Sequence, residues 1–238
     1  MGRLVLRFRY ARAAGWCLVA GAAVAPSLQP ATSPQEPATP PQQPPSPASV
    51  RLRDFFLRLN RWAVPVLRSP VGPLFMNPLA GYAMLLRTRG RRSGASRFAP
   101  LNYAIVDGAV YCLAGFGRRT HWFRNLCAEP RVAVRLPLRW IEGVAELVTD
   151  PDERLRAVRA VLHAAGWAGF LVGANPWSAP DDILRAKTAG LPVVRVRRVD
   201  GDSIVPGPAD PGGWLWVPIV GAQLWFARRL RRRLVGSR

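Results

Sequence analysis

The chain has 238 residues, of which 49% are apolar, so it can form one or two domains with a sizeable hydrophobic core. Its formal net charge is +20 at pH 7, and Lys187 is its only lysine, so arginine supplies almost all of the positive charge. This charge predicts attraction to nucleic acid, anionic lipid or anionic small molecules, although base composition of the coding DNA can also enrich arginine. The chain has three cysteines without a CxxC pair, which argues against a disulfide framework and against a thiolate metal site. It has two histidines, which excludes a histidine-rich metal site.

The first 49 residues are expected to lie outside the folded unit. Residues 1–28 combine several arginines with an apolar stretch of signal-peptide length, so they resemble a targeting segment or sequence upstream of a wrongly chosen start codon. Residues 29–49 are rich in proline, which predicts an extended linker. The folded domain should therefore cover residues 50–205, and residues 206–238 should form a separate tail.

The first part of the domain should contain one helix followed by a series of strands. "VRLRDFFLRLNRW" predicts a helix with one apolar face, Leu52, Phe55, Phe56 and Leu59, which Pro65, Pro70 and Pro73 should end. Strands are predicted at Tyr82–Thr88, Phe98–Val106, Ala109–Ala114, "RVAVRL" and "RWIEGVAELVT", with a short helix at "THWFRNLCAEP". Asp107-Gly108 is a strong hairpin signal. Cys112 and Cys127 sit in apolar runs and are expected to be small core residues.

The second part of the domain should contain two helices and a closing strand. In "DPDERLRAVRAVLHAAG", Asp150 should cap the helix and Glu153 should complete a capping box. "SAPDDILRAK" should begin a second helix in the same manner, and "PVVRVRRV" should be the last strand. Strands joined by tight turns, with helices inserted, predict an α+β fold, namely a mostly antiparallel barrel with flanking helices.

The tail has an apolar half and a basic half. "WLWVPIVGAQLWFA" is followed by "RRLRRRLVGSR", which suits a membrane interface better than a full span. The alternative is that these apolar residues pack back on the barrel or form a dimer contact.

Most familiar catalytic motifs do not occur in this sequence. It contains no GxSxG elbow, no P-loop and no GxGxxG after a strand. His163 falls inside a predicted helix, where packing or surface exposure explains it. The acidic residues cluster at helix starts, where capping explains them. Hydrolytic chemistry therefore has little support.

Two segments of the chain carry a different chemical signal. "TRGRRSGASRFAPLNY" places a Gly-Arg-Arg-Ser-Gly turn between two strands, where backbone amides and guanidinium groups can converge on one oxyanion. "AGFGRRTHWFRNL" joins a strand end to a helix, with Gly115 and Gly117 permitting close approach of a planar ligand.

Together these two segments resemble the deazaflavin-dependent nitroreductase family, also described as deazaflavin-dependent quinone reductases, over residues 55–199. The resemblance implies a split β-barrel related to flavin mononucleotide-binding barrels. It implies coenzyme F420, an 8-hydroxy-5-deazaflavin whose tail carries a phosphate and glutamates, with flavin mononucleotide as the less favoured cofactor. Carried over by position, the cofactor-binding residues are Arg91, Arg92, Ser93 and Arg97 for the tail, Phe98, Ala99, Pro100 and Leu101 along the ring, Ala114, Gly115, Phe116 and Gly117 as the opposite wall, and His121, Trp122, Phe123 and Asn125 from the short helix.

The resemblance has departures as well. Many members have a polar pair where this chain has Gly115-Phe116, and Phe123 stands where tyrosine is frequent, which puts the substrate in doubt more than the fold. The implied activity is hydride transfer from reduced F420 to a quinone, an activated alkene or a nitro compound. No catalytic residue stands out, but Tyr82, Tyr103 and His121 are candidate proton donors.

Two other functions remain open at this point. One alternative is a barrel that binds flavin, haem or tetrapyrrole without turnover, and the other is a basic binder of membranes or nucleic acid. We expect a cytoplasmic protein, with peripheral contact at the inner face of the membrane through its tail as an option. The expected partner is a small electron acceptor, with no specific nucleic acid and no metal, and a homodimer is an option.

Overall fold

The computed structural model describes residues 58–59 and 61–235. The predictions for residues 1–49 and for the helical face at Leu52, Phe55 and Phe56 lie outside the described residues. The described strands are β1 Ala83–Arg89, β2 Ser96–Val106, β3 Ala109–Leu113, β4 Arg131–Leu136, β5 Arg139–Leu147 and β6 Val193–Arg198. The α-helices are α1 His121–Ala128, α2 Pro151–Ala164, α3 Asp181–Thr188 and α4 Trp216–Val235, preceded by a helical segment at 61–68. The described part of the chain also has short 3-10 helices at Gly72–Phe75, Gly117–Arg119 and Gly166–Val172.

The six strands close into a barrel in the order β1-β2-β3-β6-β5-β4, and every neighbouring pair is antiparallel. This confirms the predicted α+β fold with a mostly antiparallel split barrel. At the β2–β3 turn, Asp107 and Gly108 both have positive φ, 48° and 73°, as a two-residue hairpin turn of type I′ requires.

Strand β2 pairs with β1 along its first part and with β3 along its second part, so the barrel closes but one edge of the first part stays unpaired. Its first part pairs with β1 from Ser96 to Asn102, and its second part pairs with β3 from Tyr103 to Val106. The pairing of β2 with β3 therefore stops at Tyr103, opposite Cys112. Along residues 96–101, only the side of β2 that faces β1 is hydrogen-bonded into the sheet.

The barrel interior holds the hydrophobic core, and α2 covers its outside. Alternation along the strands points every second side chain inward, for example Met84 and Leu86 of β1. The α2 helix buries Ala157, Val158, Val161, Leu162 and Ala164, a stripe with helical spacing. Among the residues that the structure describes, the largest fully buried side chains are Tyr103, Met84, Leu85, Leu86, Leu136, Leu184, Val110, Val134, Val158, Val161, Val193 and Val194.

Several local predictions need correction. The helical segment 61–68 runs through Pro65, because the amide of Ser69 still donates to the Pro65 carbonyl at 3.1 Å. Cys112 is buried as expected, but Cys127 is exposed, because α1 turns Phe123 and Leu126 toward the core instead. Burial raises the pKa of Cys112 to about 12.

The two predicted helix starts also differ from each other. Asp150 caps α2 by accepting from the Glu153 amide at 2.6 Å, as predicted. The Glu153 carboxylate, however, accepts from Tyr111 Oη at 2.8 Å and Arg195 Nη1 at 2.7 Å, so it does not complete a capping box. At α3 the N-cap residue is Pro180, which has no side-chain donor or acceptor, so this helix does not begin in the same manner.

A buried carboxylate fastens the chain after β6 to the barrel. Asp210 is 1% exposed, and its oxygens accept from Tyr103 Oη at 2.6 Å, from Arg139 Nη2 at 2.7 Å and from the Gly207 amide at 2.7 Å. Burial, and secondly the Asp210 charge, raise the pKa of Tyr103 far above its usual value. This network positions the start of the tail.

Helix α4 follows that anchor. Its Gln223 side chain donates to the Leu74 carbonyl at 3.0 Å, which ties one face of the helix to the segment before β1. Within residues 58–59 and 61–235, no helix combines the length and the apolarity that crossing a bilayer requires.

Candidate functional site

The Gly-Arg-Arg-Ser-Gly segment forms the tight connection between β1 and β2, which we call the arginine turn (residues 90–95). The Gly90 amide donates to the Ala95 carbonyl at 2.8 Å, and the Gly94 amide donates to the Gly90 carbonyl at 2.7 Å. Gly94 has φ +67°, a backbone conformation that favours glycine. A Cβ on Gly90 would meet Ser93 Oγ at 3.0 Å, so this position also has little room for a side chain.

Positive side chains surround this turn. Arg92, Ser93 and Arg97 are exposed, and Arg91 is half-buried. The Arg89 guanidinium lies beside Gly94, since a Cβ there would be 3.7 Å from Arg89 Nε. Arg89 was missed in the sequence analysis, although its position at the exposed end of β1, one residue before the turn, was a signal for it.

Asn125 of α1 joins the arginine turn to the helix. Its Oδ1 accepts from the Arg91 amide at 3.3 Å and from Arg91 Nη1 at 3.1 Å. Its Nδ2 donates to Thr88 Oγ1 at 3.4 Å, and both Asn125 and Thr88 are buried. The two segments singled out from the sequence are therefore in direct contact. Thr88 was also missed, although it continues the inward-facing alternation of Met84 and Leu86.

The stretch Phe98–Leu101 lies on the β2 edge that β3 does not reach. The Arg68 guanidinium lies over the Phe98 ring, with 4.7 Å between the guanidinium carbon and the ring centroid. Its ring is thus engaged by the helical segment 61–68, and Leu101 packs against the core. Pro100 lacks an N–H, which a strand edge tolerates. A ligand would mainly contact the backbone edge formed by Phe98, Ala99, Pro100 and Leu101.

The segment Ala114–Gly117 continues from the end of β3. Ala114 is fully buried, and its amide donates to the Pro192 carbonyl at 2.9 Å. At Gly115, a Cβ would have no atom within 4 Å, so the backbone there borders open space. Gly117 has φ +72°, and Phe116 is 45% exposed. The open side of this segment is therefore at Gly115 and Phe116.

The first residues of α1 divide between the surface and the core. His121 is exposed, whereas Trp122 is half-buried and packs against the core. Phe123 is a core residue whose ring meets that of Trp122 edge to face, with 5.9 Å between centroids. Phe123 is buried next to Trp122 and does not lie at the surface. The absence of a tyrosine hydroxyl at position 123 therefore leaves no gap in the exposed part of the site.

The three candidate proton donors differ in whether a substrate can reach them. Tyr103 is fully buried and donates its hydroxyl to Asp210, and the Tyr82 hydroxyl is buried without a hydrogen-bond partner. Burial raises the pKa of Tyr82. A substrate at the barrel surface cannot reach either hydroxyl, so His121 is the accessible candidate.

The sequence matches the family model described as F420H(2)-dependent quinone reductase over residues 57–172, slightly less than half of the chain. No curated protein matches the chain at a significant level. The chain is similar to a solved F420-H2 dependent reductase (FDR-A), with 26% identity, a TM-score of 0.33, and coverage of 48% of this chain and 93% of the other. It is also similar to a solved F420 reductase, with 20% identity, a TM-score of 0.35, and coverage of 53% and 90%. The chain is similar as well to a haem-binding protein from Mycobacterium smegmatis, with 18% identity, a TM-score of 0.37, and coverage of 55% of this chain and 51% of the other.

The matched residues contain β1 to β5, α1 and α2, and hence the arginine turn, the open β2 edge and Asn125. The description of the matched family agrees with the F420 cofactor predicted from the resemblance. This match over residues 57–172 agrees with the resemblance to deazaflavin-dependent reductases and supports F420-dependent oxidoreductase chemistry for this chain.

Proposed function

We propose that this protein uses reduced F420 to reduce a quinone, an activated alkene or a nitro compound, and that it binds the cofactor between the arginine turn, the open β2 edge and the start of α1. The observation that carries the proposal is the pair of hydrogen bonds from Arg91 to Asn125, because they bring the turn and the helix together. A quinone is the favoured acceptor, since the family is named for that reaction.

The donor groups at the turn fit the cofactor's tail. A phosphate and carboxylates are recognised best by guanidinium forks and backbone amides. Arg92 and Arg97 are exposed beside a glycine-containing turn, and Arg89 adds another guanidinium next to Gly94. Like charges so close together repel one another, and a bound polyanion would relieve that repulsion.

The remaining site residues suit a flat ring. The backbone edge of Phe98–Leu101 and the open space at Gly115 can accept a planar group, and Trp122 can shield it from water. When bound, F420 supplies a hydride from its carbon five. The protein's part is then to orient the acceptor and to provide a proton, for which we assign His121 at the start of α1.

We also infer that the tail brings the enzyme to a membrane surface, where lipophilic quinones dissolve. The exposed apolar side chains of α4, which precede its arginines, support this. The reductase chemistry does not depend on that contact.

The test is F420 titration of the purified full chain, followed by quinone-dependent oxidation of reduced F420 under anaerobic conditions. Arg92→Gln and Arg97→Gln should each weaken F420 binding about tenfold, the effect of losing one charge-assisted hydrogen bond. Arg156→Gln, which changes an exposed arginine of α2, is the matched control and should bind normally. Unchanged F420 affinity in both turn variants would overturn the site. Saturation with F420 without any quinone, alkene or nitro reduction would favour a binding module.

A further inference from the structure

Helix α4 exposes apolar side chains on more than one face. Leu215, Pro218, Ile219, Ala222 and Phe226 border a groove against Leu74, with a volume of about 540 Å³. Val217 and Leu224 lie about half a turn away from Ile219 and Ala222, because each residue advances the helix by about 100°. Val217, Leu224, Trp225 and Phe226 are each more than half exposed. An exposed apolar surface of this kind marks an interaction site.

A second element extends this apolar surface beyond the tail. The 3-10 helix Gly72–Phe75 lies beside α4, since the Leu74 carbonyl accepts from Gln223 Nε2. Val71, Leu74 and Phe75 are all exposed, and Phe75 is 56% exposed. The folded domain therefore contributes apolar side chains next to those of the tail.

The charge on α4 is entirely positive. No Asp or Glu follows Asp210 in the sequence. Arg228, Arg229, Arg231 and Arg232 are exposed in the helix directly after Trp225 and Phe226, and the Arg229 guanidinium lies 5.2 Å from the Trp225 ring centroid. Exposed apolar and aromatic side chains followed directly by basic ones are the combination that suits the surface of an anionic bilayer.

We propose that α4 and the 71–75 segment together form a docking surface for an anionic lipid bilayer. The exposed apolar side chains of both elements enter the interfacial layer, namely Leu224, Trp225 and Phe226 of α4 with Leu74 and Phe75 of the 71–75 segment, and the arginines bind lipid phosphates. The positive charge favours this occupant over a second copy of the chain, since two copies of net charge +20 repel each other. This deepens the membrane contact proposed above by naming the lipid charge and a second inserted element, and it is independent of the cofactor site.

The test is co-sedimentation of the full chain with vesicles of phosphatidylcholine, with and without phosphatidylglycerol. Binding should require phosphatidylglycerol and weaken as salt is raised. Replacing Arg228 and Arg229 with Gln should weaken binding roughly fivefold for each arginine. Phe75→Ser should weaken binding severalfold although Phe75 lies outside the tail. Ile183→Ser, which changes an exposed apolar residue of α3, is the matched control and should bind like the unchanged protein.

Three outcomes would overturn this inference. They are no binding to phosphatidylglycerol vesicles, equal binding to both kinds of vesicle, and full binding by Phe75→Ser. Sedimentation velocity that shows self-association, abolished by Leu224→Ser, would assign the surface to a second copy instead. Circular dichroism of each variant checks that α4 and the barrel remain folded. F420 affinity measured without vesicles should be unchanged in all of them, so failure of docking and failure of the cofactor site are distinguishable.

Discussion

Asn125 should act as a positioning residue for Arg91, and replacing it should weaken the binding of the cofactor's tail. Its Oδ1 accepts both from the Arg91 backbone and from the Arg91 guanidinium, at 3.3 and 3.1 Å. With both groups held, Arg91 has already lost much of its conformational freedom before an anion arrives. Asn125→Ala removes this restraint and leaves the arginine itself in place.

The magnitude follows from the restraint that is lost. Ordering one long, flexible side chain on binding costs about 0.5–1.5 kcal/mol. If Arg91 must be ordered anew, F420 affinity should fall about 2- to 12-fold, since 1.4 kcal/mol corresponds to tenfold. The free energy of unfolding should also fall by about 1–3 kcal/mol, because the substitution removes the partner of two half-buried Arg91 donors and of the buried Thr88 hydroxyl.

The assay compares two ligands, F420 and the same deazaflavin without its phosphate and glutamates. Asn125→Ala should weaken F420 binding but leave the affinity for the tail-less deazaflavin unchanged. Thr88→Val is the matched control, because it disturbs the same buried cluster and keeps the Oδ1 acceptor for Arg91. Equal loss for both ligands would mean general damage to the ring site. Full F420 affinity in a folded Asn125→Ala variant would refute the positioning role.

Further outcomes follow from other parts of the barrel. Burial holds the Cys112 pKa near 12, so iodoacetamide near pH 8 should label Cys127 and spare Cys112 until the protein unfolds, as peptide mass mapping can show. Because the folded Cys112 pKa lies above its ordinary value of 9.0, its stabilising contribution is complete below pH 9 and should be lost between about pH 9 and 12, measured by urea unfolding. Tyr103→Phe removes a donor from buried Asp210 and should lower the free energy of unfolding by about 1–3 kcal/mol, with an unchanged m-value. Gly117→Ala places a Cβ at φ +72° and should cost about 1–2 kcal/mol, read from the thermal midpoint.

The sequence by itself determined the strands, the helices and the barrel class of this protein. Periodicity and turn chemistry act over a few residues, so the Asp107-Gly108 hairpin and the Asp150 cap could be predicted without coordinates. The same local rules failed at Pro65, where the helix continues and the Ser69 amide donates to the Pro65 carbonyl, and at Pro180, which stands at the N-cap of α3 without a capping side chain.

Only the tertiary structure decided which predicted residues meet. Asn125 and Arg91 are 34 positions apart, and their contact depends on how α1 packs against the end of β1. Packing also placed Phe123 in the core and Cys127 at the surface, because one face of a short helix can be buried only at the expense of the other. Phe75 became part of an apolar surface through the hydrogen bond between Gln223 and Leu74, across 149 positions of sequence. Such long-range contacts arise from the burial of many side chains at once, and no short stretch of sequence encodes them.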